Sequence, residues 1–455
     1  MNFPGVRVAL LLGVAFATRA LAAGSLGAQG TAISTSNYNV DLFQGPELAS
    51  SRIIGLGGAY VALADTADGN PFNPASPALR MPYSTRKVDF DLTVGLTIPA
   101  AIDGTDFYNS GTRGFTYDNF VFLTLGGNLQ FGHAGLGATI NIQSFNLGNA
   151  SLPSFPNLRF SLITGHLIAA YGFFHEEVLI GAGVRITGLN ADGTDAGGGN
   201  AQPLLKMAGV GLQAGVLWVP RRLPLRLGVV ARTPVQGQAD PTSQTKPDTS
   251  GDTLVGTVYI PNTIELPWEI EMGFAFQIGP RPLNPGWTKH QDVPDEDVEA
   301  ERNASPPPEP GATPETRKKV ATRILNRRYE AIPRARLLVT SSLLITGASD
   351  NAVGFESFLN QKVNRSGQAV SFTPRLGLEA EVIPSWLQLR AGTYYEPSRF
   401  NPSLARAHGT AGFDVKLFPW KAFGIFDDGT WWRIGAVLDV ARDYVGWSLA
   451  VGLWH

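Results

Sequence analysis

The chain contains no cysteine, and that absence removes several kinds of chemistry at once. Without a thiol there is no disulfide framework, no thiolate metal site and no lipid-modified N-terminal cysteine. Charge is also scarce: Asp, Glu, Lys and Arg make up 16% of the 455 residues, against roughly 25% in soluble domains. The formal net charge of -2 provides no basic surface of the kind nucleic acid requires. After the first two dozen residues, no run of about 18 uncharged apolar residues occurs, which excludes a membrane-spanning helix in the mature chain. Histidines are few as well. His133, His166, His175, His290, His408 and His455 fall in no motif with a nucleophile and an acid, so no enzyme and no catalytic residue are expected. Asp192 and Asp195 are too isolated for a calcium loop, so neither a metal nor a cofactor is expected.

What is present begins with a leader. Arg7, the apolar run Val8 to Ala17 and the small residues Ala20-Leu21-Ala22 follow the plan of a secretory signal peptide over residues 1–22, with cleavage near Ala22/Ala23. From residue 87 onward, apolar residues alternate with small or polar ones. Val88, Phe90, Leu92, Val94 and Leu96 share one face of a strand, and Asp89, Asp91, Thr93, Gly95 and Thr97 share the other. The division recurs at Leu225, Leu227, Val229 and Ala231 against Arg226, Gly228 and Arg232, and at Ile270, Met272, Phe274 and Phe276 against Glu269, Glu271 and Gly273.

Counting such segments, from 87–97 to 445–454, gives about fourteen, each near the 9–11 residues that cross a bilayer at a tilt. The connections alternate between long (98–116, 148–159, 189–206, 236–263, 349–369, 397–406) and short (130–133, 175–177, 220–223, 383–385). That asymmetry fits a bacterial transmembrane β-barrel with its long loops outside. Trp218, Trp386 and Trp420 lie beside short turns, where an interfacial aromatic belt would sit. The expected fold is therefore all-β: a closed antiparallel barrel over residues 87–455, in contact with outer-membrane lipid and lipopolysaccharide, and a monomer. A soluble β-sandwich shares the alternation but not the loop asymmetry, and it would bury the apolar face rather than Arg226, Arg232, Arg390, Glu379 and Glu381.

Residues 23–86 carry no sustained period. Within them, Gly55-Leu56-Gly57-Gly58-Ala59-Tyr60 leads to Ala64-Asp65-Thr66-Ala67 and then to Asn73-Pro74-Ala75. This order resembles the N-terminal hatch of the long-chain fatty-acid transporter (FadL/TodX-type) family. The resemblance implies a fourteen-stranded outer-membrane barrel whose N-terminal segment folds into the lumen as a plug. It makes Gly57, Gly58, Ala59, Tyr60, Asp65, Asn73, Pro74 and Ala75 the candidate gate residues, and passive transport of hydrophobic small molecules, such as long-chain fatty acids or other hydrocarbons, the candidate function. Phe107, Tyr108, Phe115, Tyr117, Phe355 and Phe358 in the outer loops are the candidate ligand contacts.

One stretch departs from the family plan. Residues 280–334 form a short-turn connection that is far too long. Its acidic, proline-rich part (291–315) is expected to be disordered, and a basic amphipathic helix is expected from Pro314 to Tyr329. The insert suits a periplasmic protein partner, and with it an alternative function: a non-transporting scaffold or shuttle for other proteins.

Overall fold

A strand with one apolar and one polar face is stable only where both faces meet a matching medium. The computed structural model meets that requirement with a closed barrel. It describes residues 26–454 apart from 81–83, 85–86, 103, 114–115, 149–156, 195–201, 241–244, 248–249, 256–257, 305–314 and 420–430. The leader, Phe115, Asp195 and Trp420 lie outside the described residues.

Fourteen antiparallel strands form the wall. They are β1 (Val88–Ile98), β2 (Thr116–Phe131), β3 (Ala134–Gly148), β4 (Asn157–Phe173), β5 (Val178–Thr194), β6 (Gln202–Trp218) and β7 (Leu225–Arg232). The second half comprises β8 (Glu269–Ile278), β9 (Leu337–Thr346), β10 (Ser371–Ile383), β11 (Leu387–Glu396), β12 (Arg406–Pro419), β13 (Trp431–Ala441) and β14 (Tyr444–Leu453). Each strand pairs with its sequence neighbours, and β1 pairs with β14 from Thr93↔Gly452 to Ile98↔Trp447, so no edge is left open. In lipid such closure is obligatory, because no water is present to satisfy a bare strand edge.

The two faces decide between the barrel and the sandwich. Leu227 and Val229 are 41% and 49% exposed on the outside, whereas Arg226, Arg232, Arg390, Glu379 and Glu381 are buried on the inside. A band of large apolar side chains this continuous is incompatible with a water-facing surface and matches the lipid-facing band of a membrane barrel. Trp218 and Trp386 stand exposed beside the short turns.

The N-terminal segment divides into two parts. Asn39–Asp41 pairs in parallel with Thr263–Leu266 and with Ala352–Gly354 among the long loops. From residue 44 the chain descends through the lumen as helix α1 (Ser51–Gly55) and two 3-10 turns, Ala67–Gly69 and Ser76–Ala78, and reaches the short-turn end before β1 begins.

The insert needs a correction. Disorder is expected over 291–315, of which 305–314 lie outside the described residues, yet Asp295–Ala304 is helix α2, packed against α3 (Arg317–Glu330). Charge that repels within one segment is neutralised by the next: Arg317 pairs with Asp295 at 2.9 Å, Arg327 with Glu301 at 2.8 Å and Arg328 with Asp297 at 2.6 Å. Val293 and Val298 bury themselves against Val320, Ala321 and Ile324, a small core that the acidic segment lacks by itself.

Candidate functional site

The hatch is held against the wall by shape first. Gly57 and Gly58 have φ of 60° and 75°, a region that costs other residues energy through the clash between Cβ and the backbone. Glycines of the wall make the matching space. An added Cβ would stand 1.8 Å from the Pro74 oxygen at Gly181, 2.2 Å from Asn73 Oδ1 at Gly215 and 2.2 Å from the Val61 oxygen at Gly228. Asn73 then ties the hatch to itself and to β6. Its Nδ2 donates to the carbonyls of Val61 (2.9 Å) and Val216 (3.2 Å), and its Oδ1 accepts from the Ala75 amide. The Ala59 carbonyl accepts from Thr340 of β9. Asn73-Pro74-Ala75 is thus a docking motif, not only a turn.

Charge completes the attachment. Arg52 of α1 reaches Glu379 of β10 at 2.9 Å and Asp65 at 2.5 Å, and the Tyr60 hydroxyl donates to the same Asp65. Burial alone would raise the Asp65 carboxyl, but Arg52 and then Arg226 overcome it and hold the group below the ordinary carboxylate range. Beyond Glu379 the chain of pairs runs through Arg390 (2.7 Å) and Asp414 (2.8 Å) to Arg433, which also meets Asp68 of the hatch at 3.4 Å. Lumen charges of both signs therefore pair with each other and with the plug. Asp89 takes Arg80 at 2.6 Å, Arg185 takes Glu269 at 3.0 Å and Arg375 takes Glu271 at 3.3 Å.

Above the hatch lies a cavity of about 210 Å³, bounded by Phe43, Glu47 and Phe72 of the N-terminal segment and by His166, Arg185 and Arg375 of the wall. Under the long loops lies a packed aromatic cluster, the roof, whose rings do not themselves line the cavity. Phe107 packs edge-on against Tyr108 (5.0 Å between centroids) and Phe120 (4.8 Å), Phe120 meets Phe145 at 4.8 Å, and Phe355 meets Phe160 at 4.9 Å. Leu42 and Leu162 belong to this cluster and also line the cavity.

Of the six loop aromatics singled out by sequence, Phe107, Tyr108, Tyr117, Phe355 and Phe358 come together in the roof. Sequence reasoning missed Phe120, Phe145 and Phe160, which come from strands. Their signal was an apolar residue at a polar-face position near a strand's long-loop end. Phe120 is turned inward by a bulge, where Asn119 has φ 53° and the β2–β3 register slips between Asp118 and Val121.

Two loops meet over the cluster through one buried acid. Glu356, on α4 (Phe355–Asn360), accepts from the hydroxyls of Tyr117 (2.5 Å), Ser110 (2.7 Å) and Thr112 (3.0 Å). Burial raises its carboxyl above the ordinary range, against the lowering effect of those hydrogen bonds. Elsewhere, His408 is wedged between Glu396 (2.6 Å) and Asp439 (2.8 Å) and stacks on the Tyr394 ring, an arrangement that braces the wall. Among the described residues no group of three or more His, Asp or Glu is placed to hold a metal ion.

No family model matches the chain, and no curated protein matches it. Solved structures do. The CymD monoaromatic hydrocarbon channel aligns with 89% of this chain and 96% of its own, at 12% identity and a TM-score of 0.48. A Pseudomonas aeruginosa FadL homologue aligns with 93% and 98%, at 11% and 0.46. The P. putida toluene transporter TodX aligns with 90% and 98%, at 12% and 0.47.

Proposed function

We propose that this chain is a FadL/TodX-type channel of a bacterial outer membrane, long loops outward, that admits hydrophobic small molecules passively. The observation that carries the reading is the layering of the lumen: a packed aromatic roof under the long loops, then a cavity lined by polar and apolar side chains, then a hatch attached to the wall by close contacts, hydrogen bonds and ion pairs. An apolar solute gains roughly 25 cal/mol per Å² on leaving water, so the roof would collect it. The hatch then decides whether it passes. The gate residues act by holding the plug: Gly57 and Gly58 by close approach, Tyr60 and Asp65 through Arg52, and Asn73, Pro74 and Ala75 against β6. Long-chain fatty acids and other hydrocarbons are the ligand classes proposed.

Mass spectrometry of apolar compounds extracted from the purified, folded barrel, paired with uptake by a deletion strain, tests this reading. Bound hydrophobic ligand and reduced uptake are expected, and Phe355→Ala is expected to weaken ligand retention. A barrel that yields no apolar ligand but a stoichiometric protein partner would replace transport with the scaffold role. The α2–α3 hairpin is the surface such a partner would have to engage.

A further inference from the structure

The connection from β8 to β9 leaves the wall at Gly279 and, instead of hanging free, turns back into the short-turn mouth. Arg281 is buried and pairs with Glu381 of β10 at 3.3 Å. Leu283, 6% exposed, sits in one apolar cluster with Ile53, Leu56, Tyr60 and Leu63 of the N-terminal segment. Asn284 donates to the carbonyls of Pro220 (2.9 Å), Leu223 (3.2 Å) and Leu225 (2.9 Å), which are the β6–β7 turn and the start of β7. Trp287 ends the crossing on the far side, with the Arg80 guanidinium 3.9 Å above its ring and His133 of the β2–β3 turn edge-on at 5.8 Å.

Arg226 of β7 joins this crossing to the hatch. Its Nε donates to Asn284 Oδ1 at 2.7 Å, its Nη2 to the Leu283 carbonyl at 2.8 Å and its Nη1 to the Leu63 carbonyl at 2.8 Å. A buried guanidinium is costly to leave unpaired. Withdrawal of either element alone would strip Arg226 of acceptors in the lumen.

We propose that residues 281–287 are a second, inner seal, so that the lumen is closed by two stacked elements coupled through Arg226, and displacement of the hatch alone does not open the short-turn mouth. The inserted connection thereby serves as an autoinhibitory stopper of the barrel that carries it. The coupling predicts that loosening the seal also loosens the underside of the hatch.

The absence of cysteine gives a clean test on the full-length folded barrel, with the heat-dependent mobility shift on gels as the check on folding. In Leu283→Cys, labelling by a membrane-impermeant maleimide is expected to be far slower than in Lys319→Cys on the exposed face of α3. In Leu63→Cys, labelling is expected to rise about tenfold or more when Asn284→Ala is added, since tenfold corresponds to 1.4 kcal/mol and several hydrogen bonds are lost. Replacing 281–287 by a Gly/Ser segment of equal length is expected to raise it further. The proposal is overturned if Leu283→Cys reacts as fast as Lys319→Cys, or if Leu63→Cys stays equally protected with the Gly/Ser segment in place.

Discussion

Gly57 of the hatch and Gly392 of β11 pass each other with room for a side chain on neither. A Cβ at Gly392 would stand 2.3 Å from the Gly57 amide nitrogen, and one at Gly57 would stand 2.7 Å from the Thr393 carbonyl oxygen. Gly57→Ala adds the strain of a positive φ, roughly 1–2 kcal/mol, to that clash, whereas Gly392→Ala meets the clash alone. Both variants are expected to keep the folded barrel's gel mobility but to expose the hatch to protease. Equal resistance to the native protein would mean that the hatch is not seated at this contact.

Arg52 of the hatch meets Glu379 and Asp65 together. Removing a partner from a buried pair costs about 3–5 kcal/mol because the remaining charge is stranded. Glu379 keeps Arg390 and Arg336, so the group that loses its direct ion pair in Arg52→Ala is Asp65, left with the Tyr60 hydroxyl and partial exposure, and the loss falls below that range. The hatch of Arg52→Ala is therefore expected to loosen, and Asp65→Asn in the same chain is expected to recover a large part of the loss. A double-mutant cycle on protease protection of the hatch reads this, and strictly additive effects would remove the pairing from the account.

The Glu356 carboxyl gives the loop cap a pH dependence of definite sign. Its pKa is raised in the folded state by burial, so the folded cap binds more protons than the unfolded one, and stability falls as pH rises. The contribution is complete below the unfolded value near 4.3 and is lost as pH passes upward through the folded value. Proteolysis of the loops is expected to quicken over that window, and Glu356→Gln is expected to flatten the dependence. A native cap that tightens as pH rises would contradict the assignment.

The wall was legible because strand parity is a local property: Asp89, Asp91, Thr93 and Thr97 face the lumen as their spacing requires. The hatch was legible only through the resemblance carried by Gly57-Gly58-Ala59-Tyr60 and Asn73-Pro74-Ala75, since residues 23–86 have no period of their own. What the sequence did not reveal was long-range pairing. The glycines of the wall read as composition until Gly181 and Gly215 meet Pro74 and Asn73, 107 and 142 positions away in the chain. The acidic segment before Pro306 read as disordered because its neutralising arginines lie on a separate helix. Leu283 and Asn284 sit in a stretch without period, so nothing local marked them as buried.

The outward face provides the sharpest test of the membrane assignment. Leu167 lies near the middle of the lipid-facing band on β4 and is 55% exposed. On a water-soluble sandwich an exposed leucine accepts arginine at little cost, since surface substitutions usually stay within about 0.5 kcal/mol. In a bilayer the same change sets a cation against hydrocarbon and costs roughly 2–4 kcal/mol at mid-depth. Leu167→Arg is therefore expected to lower the folded fraction in phospholipid vesicles, measured by gel mobility, by a factor that shrinks when the arginine is moved to Phe173 beside the short turn. The inward-facing Ala170 gives the contrast: it is buried in one cluster with Ala75 and Ala78 of the hatch, so arginine there should impair hatch docking instead of membrane insertion. If Leu167→Arg and Phe173→Arg fold equally well in lipid, the band does not face a bilayer, and the barrel's place in a membrane falls with it.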